Sequence, residues 1–251
     1  MSKSAIVTGG ATGIGYAVAQ ALLERNYAVT IAGRRSEVLL AAAETLRAGA
    51  PGSRVGSVTA DVANPADIVR LFDTHESEFG PVTALVTAAA FYEPVHALEM
   101  SVEAWDSTMN SALRGSVFAA QQAGRRMKAA GGGRIVLFSS INGFHSEPDS
   151  IHYSAAKAAI MSVAKSFAVD LAGTGVITNA VAPGWVYTPM TAEFVDETTY
   201  EQLKKVNTLG RAGRPEEIAS VVRYLVCDAP EFLVGTTIFV DGGQTALAPM
   251  P

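Results

Sequence analysis

Two hydrophobic rhythms alternate along the chain. Short, almost wholly apolar runs rich in β-branched residues fall at 5–8, 28–32, 54–60, 84–87, 134–138, 177–181 and 237–240. Their length and composition predict buried strands. Longer stretches with apolar positions at helical spacing stand between them. After the first run, Ile14, Val18, Ala21 and Leu22 share one helical face, and further helices are predicted over 37–48, 65–79, 102–129, 152–172 and 215–227. Strand followed by helix, with strands apolar on both faces, is the pattern of a parallel sheet covered on both sides. Right-handed crossovers then give a doubly wound, Rossmann-type α/β sheet of about seven strands.

The rhythm breaks between Met190 and Arg211. This stretch is polar, carries Glu193, Asp196, Glu197, Glu201, Lys204 and Lys205, and has no strand pattern. It reads as a lid over a pocket, at about 190–211. Otherwise no linker, repeat or low-complexity tract interrupts the chain, so 1–251 is expected to be a single domain.

Composition narrows the function classes. At 49% hydrophobic and 17% charged residues, the chain has material for one large core. Net charge is −5 and no run of Lys or Arg exceeds two residues, which argues against nucleic-acid binding. The lone Cys227 forms no internal disulfide, in keeping with a reducing compartment. The N-terminus lacks an apolar stretch of signal-peptide or membrane-helix length. A cytoplasmic protein without membrane association is expected. The four histidines and Cys227 lack metal-ligand spacing, so no metal site is expected.

The turn after the first strand reads Thr8-Gly9-Gly10-Ala11-Thr12-Gly13-Ile14-Gly15. Gly9, Gly13 and Gly15 permit backbone angles and close approach that a Cβ forbids. The helix that begins here offers free N–H groups and its positive end to a pyrophosphate. The spacing Thr-Gly-x₃-Gly-Ile-Gly resembles the short-chain dehydrogenase/reductase family. That resemblance implies a nicotinamide cofactor held by this turn, with Thr12 among its contacts.

The second strand ends Gly33-Arg34-Arg35. NAD enzymes commonly put a carboxylate there for the ribose hydroxyls; two guanidinium groups suit a 2′-phosphate instead. NADP(H) is favoured, with NAD(H) the alternative. Asp61 and Val62, after the third strand, resemble the family's adenine contact. The competing reading of Asp61 is a loop aspartate that caps the next helix.

Tyr153 and Lys157 lie one helical turn apart on one face. A free tyrosine titrates at about 10, too high for ready proton exchange near neutrality, and a nearby ammonium is expected to lower it. The buried strand 134–138 runs into Ser139-Ser140, thirteen residues before Tyr153. In the family the strand-end serine at this spacing polarises the substrate oxygen, and that residue is Ser140. Ser139 points to the other face because strand side chains alternate. Asn110 matches the family's helix asparagine, which helps to hold a proton-relay water near the lysine. The resemblance therefore implies a tetrad of Asn110, Ser140, Tyr153 and Lys157, with Lys157 also on the nicotinamide ribose. Pro183, Gly184, Val186 and Thr188, after the sixth strand, resemble the segment that holds the nicotinamide carboxamide.

The chain departs from the family after its fourth strand. Where Asn-Asn-Ala-Gly is usual, it has Thr87-Ala88-Ala89-Ala90. Thr87 keeps a hydroxyl for one polar contact, Ala88 has none, and Ala90 adds a methyl where the cofactor approaches the backbone.

Tyr92, Asn142, Phe144, His145, Trp185, Tyr187 and Met190 neighbour the expected nicotinamide position. Their mostly apolar or aromatic character suggests a hydrophobic ketone or secondary alcohol as the small-molecule partner. Two other readings compete: a non-catalytic NADP(H)-binding sensor, and a sugar-nucleotide epimerase on a related fold. The second usually needs an extra C-terminal domain. Family members commonly pair through two long helices. The small residues Ala155, Ala158, Ala159 and Ser162 would permit that packing in a homotetramer.

Overall fold

The computed structural model describes residues 3–192, 201 and 205–247. Among them, β1 (Ser4–Thr8), β2 (Ala28–Gly33), β3 (Val55–Thr59), β4 (Ala84–Thr87), β5 (Gly133–Phe138), β6 (Val176–Pro183) and β7 (Thr237–Val240) form one sheet. All neighbours are parallel, in the order β3-β2-β1-β4-β5-β6-β7. The helices are α1 (Gly13–Leu23), α2 (Ser36–Gly49), α3 (Pro65–Phe79), α4 (Val102–Thr108), α5 (Gly115–Ala130), α6 (Ile151–Asp170), α7 (Pro189–Ala192) and α8 (Pro215–Cys227). None of the described helices is long and apolar enough to cross a membrane.

Alternation along the strands sends side chains into two separate cores. Val7, Val29, Val86 and Val136 pack with Val18, Leu22, Leu46 and Val222 of α1, α2 and α8. Ile6, Leu85, Ile135 and Leu137 pack on the other side with Leu71, Phe72, Met127 and Ile160 of α3, α5 and α6. This is the doubly wound architecture expected from the hydrophobic pattern. Strand order reverses between β1 and β4, and at such a point the loops part to leave a crevice for a ligand.

One predicted element is divided. The helix expected over 102–129 is broken into α4, a wide turn over Met109–Arg114, and α5. In the wide turn the N–H of Gly115 donates to the carbonyl of Asn110, five residues back, the pattern of a π-bulge. At the end of the bulge the chain packs closely on the loop after β3: a Cβ on Gly115 would come within 2.7 Å of the Val62 side chain. The stretch packs against α6, so the bulge carries Asn110 toward the helix of Tyr153 and Lys157.

His75 tests the core. It is fully buried on α3, its Nδ1 lies 2.7 Å from Thr30 Oγ1, and its Nε2 has no partner. Burial holds its pKa down, to about 4 from an ordinary 6.5. Between those values the unfolded chain binds a proton that the folded chain resists. Stability is therefore full above the upper value and falls as pH drops through the window, by roughly 3 kcal/mol in all. Urea unfolding at stepped pH should show a smaller loss across this window for His75→Gln than for the native sequence; equal losses would refute the assignment.

Candidate active site

The turn after β1 is pressed onto the end of β4. Gly9 has φ +69° and Gly13 φ +55°. The N–H of Gly9 donates to Ala32 O at 2.8 Å, and that of Ala88 to Thr8 O at 3.1 Å. A Cβ on Gly9 would lie 2.7 Å from the Ala88 carbonyl and the Ala89 nitrogen, so no larger residue fits there. At the start of α1, Thr12 makes no side-chain cap and no acidic residue occupies the first turn. The N–H groups around Ile14 and Gly15 thus face no built-in anion. Arg34 and Arg35 stand exposed beyond β2, without an ion pair among the described residues. A glycine cradle, an uncapped helix start and two free guanidinium groups fit a phosphorylated dinucleotide.

Other expected cofactor residues have local structural partners. Asp61 Oδ1 accepts from Ala63 N at 2.9 Å, while Asp61 N donates to Asp67 Oδ2 at 2.9 Å. Asp61 therefore shapes the entry to α3, although Asn64 is its N-cap. Val62 seats Gly115. Thr87 is buried and its Oγ1 has no partner, so the hydroxyl does not stand in for an asparagine's contact. Ala88, Ala89 and Ala90 follow, half-buried beside the glycine turn. After β6, Gly184 N donates to Val240 O at 3.0 Å and Val186 pairs with Gly213. Thr188 Oγ1 lies 3.2 Å from Thr191 Oγ1, which donates to Val186 O at 2.7 Å. The segment Pro183–Thr188 is thus held rigidly at the sheet's carboxyl edge.

The acid/base candidates come from β5 and α6. Ser139 and Ser140 have different partners. Ser139 Oγ donates to Lys157 O at 2.7 Å. Ser140 Oγ accepts from Asn142 N at 3.2 Å and opens on a pocket of about 110 Å³. Tyr153 lines that pocket too, with Tyr92, Asn142, Glu147, Trp185 and Met190. Lys157 is 3% exposed; its Nζ donates to Phe138 O at 2.8 Å and lies 5.3 Å from the Tyr153 ring centroid. Asn110 is half-buried on the bulge, with Oδ1 accepting from Arg114 Nη1 at 3.5 Å. Its bonds run within its own helix.

Electrostatics corrects one expectation. Burial lowers the Lys157 pKa to about 8. The Tyr153 pKa does not fall: burial pushes it up to about 12, Ser140 opposes, and Tyr92 and Glu147 push it further up. The ammonium is turned toward the Phe138 carbonyl, and desolvation of the phenolate outweighs it.

Tyr92, Asn142, Trp185 and Met190 share the pocket with Tyr153 and Ser140, and the Tyr92 ring lies 4.9 Å from that of Tyr153. Phe144 and His145 instead line a neighbouring open hollow of about 560 Å³. Phe144 stacks edge-on against Phe239 at 5.5 Å. Tyr187 is 61% exposed and lines neither space. Sequence reasoning missed Glu147, which accepts hydrogen bonds from Trp185 Nε1 at 3.1 Å and Asn142 Nδ2 at 3.3 Å. It lies in a loop without regular spacing, so no pattern signalled it. Of the lid expected at 190–211, residues 193–200 and 202–204 lie outside the described residues.

Fold and site together define an oxidoreductase of the dinucleotide-binding type. A family model described as enoyl-(acyl carrier protein) reductase matches residues 9–245. The chain belongs to the short-chain dehydrogenase/reductase family. It is 39% identical to cis-4-hydroxycyclohexanecarboxylate dehydrogenase of Sinomonas cyclohexanicum, covering 98% of this chain and 97% of that one. It is 35% identical to the NADP-dependent (R)-specific alcohol dehydrogenase of Lentilactobacillus kefiri, covering 97% of each. A variant of actinorhodin polyketide ketoreductase, solved with NADPH, superposes with a TM-score of 0.92 at 29% identity, covering 97% of each chain.

Gly9→Ala should expose how tightly this turn is built. The positive φ alone costs roughly 1–3 kcal/mol, and each kcal/mol lowers Tm by about 2–4 °C in a domain of this size. Calorimetry should record that fall. An unshifted Tm would mean that the turn and β4 are not in contact.

Proposed function

We propose that the protein transfers a hydride between NADP(H) and a ketone or secondary alcohol, with Tyr153 as the general acid/base. The observation that carries this reading is the convergence of the Ser140 and Tyr153 side chains on one small pocket, above the buried ammonium of Lys157. The relatives add support, since their names are those of dehydrogenases and ketoreductases. The Sinomonas relative's substrate carries a carboxylate by its name; only the alcohol–carbonyl chemistry is carried over to this chain.

The bound nicotinamide would supply or accept the hydride. Ser140 and Tyr153 hold the substrate oxygen by two hydroxyls, which fixes the reacting carbon above the turn at Gly184–Thr188. In reduction Tyr153 gives its proton to that oxygen; in oxidation it takes one. Lys157 supplies positive charge beneath the ring and favours the phenolate when it forms. Asn110, beside α6, belongs to the same proton path. Arg34 and Arg35 would take the 2′-phosphate, and Gly9, Thr12, Gly13, Ile14 and Gly15 the pyrophosphate. A homotetramer in the cytoplasm belongs to the same reading; Ala158 and Ser162 lie exposed on α6.

Two measurements test this. Nicotinamide fluorescence titrations should give tighter binding for NADPH than for NADH, by about ten- to hundredfold. Arg34→Ala combined with Arg35→Ala should erase the preference, and a native preference for NADH would refute the arginine reading. In ketone reduction, kcat/KM should be flat through neutrality and fall above about pH 8, where Lys157 loses its proton; Tyr153 stays protonated throughout that range. Tyr153→Phe should abolish turnover while leaving NADPH binding intact. A variant that reduces ketones at the native rate would refute the mechanism.

A further inference from the structure

The pocket beside Tyr153 has one charged lining residue among those described, and it is Glu147. Its two oxygens are spent on two different loops. Oε1 takes the indole N–H of Trp185, from the segment after β6, and Oε2 takes the amide of Asn142, from the turn after β5. The carboxylate therefore cannot swing away without releasing both walls of the pocket. Its charge reaches the hydroxyls that face the space: burial is the larger cause that holds the pKa of Tyr153 and of Tyr92 up, and Glu147 adds to it. Asp149 acts on Tyr92 in the same sense. No described cation lines the pocket to offset it, because the Lys157 ammonium is bonded to the Phe138 carbonyl and lies outside the lining.

We infer that Glu147 is a specificity-determining residue that pins Trp185 and Asn142 and makes the pocket select uncharged substrates over carboxylates. The inference rests on the ketone/alcohol reading of this site. It names the substrate class within that reading: a compact neutral ketone or alcohol whose body packs on Trp185, Tyr92 and Met190. A substrate carboxylate here meets a fixed like charge in a poorly solvated space, and neither group has a countercharge to share.

The test uses 4-oxocyclohexanecarboxylate and its uncharged methyl ester. Binding to the cofactor-free protein is read by quenching of tryptophan emission, and turnover separately by NADPH oxidation. The ester should bind at least roughly tenfold tighter than the carboxylate, as expected for like charges a few ångströms apart near a protein surface. Glu147→Gln removes the charge; its amide oxygen can still accept from Trp185 Nε1, and its NH₂ can donate to Asn142 Oδ1 once the Asn142 amide turns over. It should bring the two probes to within about threefold of each other. Equal binding by the native protein, binding of neither probe, or a ratio unchanged in Glu147→Gln would each overturn the inference. If that variant fails to fold, the native ratio decides alone. Discrimination in binding without NADPH oxidation by either probe would sink the redox reading while leaving the charge selection in place.

Discussion

A buried ammonium needs a partner, and the way Lys157 finds one organises the junction of β5 and α6. Its Nζ is bonded to the carbonyl of Phe138, the last residue of β5, while its own carbonyl receives the hydroxyl of Ser139. Side chain and backbone of one residue are thus tied to consecutive residues of one strand. Gly143 closes the arrangement: a Cβ there would lie 2.7 Å from the Lys157 carbonyl. With α6 fixed at this point, Tyr153, one turn earlier, falls opposite Ser140, the next residue of the strand end. Loss of either bond would leave a buried polar group unpaired, at roughly 1–3 kcal/mol or more for a charged one. The positions of the Ser140 and Tyr153 hydroxyls are therefore maintained by interactions among Phe138, Ser139 and Lys157, none of which lines the pocket.

The second fixed point is the contact between the β1 turn and β4. Because Gly9 packs directly on the Ala88–Ala89 backbone, this end of the sheet tolerates little change in shape. It does tolerate a change in chemistry. Thr87 buries a hydroxyl without a partner, and Ala88 and Ala90 add only methyl groups. The ladder survives, since Thr87 stays in register with Thr8 and Leu137. The departure from Asn-Asn-Ala-Gly lies at the end of β4 and just after it, whereas Ser140, Tyr153 and Lys157 are located by β5 and α6. The two halves of the site are built on different strands, so one half can vary without displacing the other.

Much of this was legible in the sequence because it follows from periodicity. Buried strands are apolar on both faces, and the seven runs emerged with ends displaced by at most two residues. The placing of Tyr153 and Lys157 on one helix, a turn apart, was legible from helical spacing. The bulge at Asn110 was not, because the apolar spacing over 102–129 reads as one continuous helix. Glu147 was hidden because its partners Asn142 and Trp185 meet it only through folding, across 5 and 38 residues. Tyr187 and Phe144, expected near the pocket from proximity along the chain, lie outside the space that Ser140 and Tyr153 line. Neighbours of a pocket residue in an extended loop face away as often as toward it, and Tyr187 ends up exposed.

Burial gives Tyr153 a definite resting state. A phenol that burial, with Tyr92 and Glu147, holds near pKa 12 keeps its proton at neutral pH, but the same shift makes it a weaker acid than a free tyrosine. Lys157, held near 8, is mostly charged under the same conditions. Both protonated states are thus the populated ones, and a phenolate formed at Tyr153 would need the ammonium 5.3 Å from its ring to offset the loss of solvation. The same carboxylate that raises the tyrosine's pKa also pins the pocket wall, so acid strength and pocket shape are coupled through Glu147.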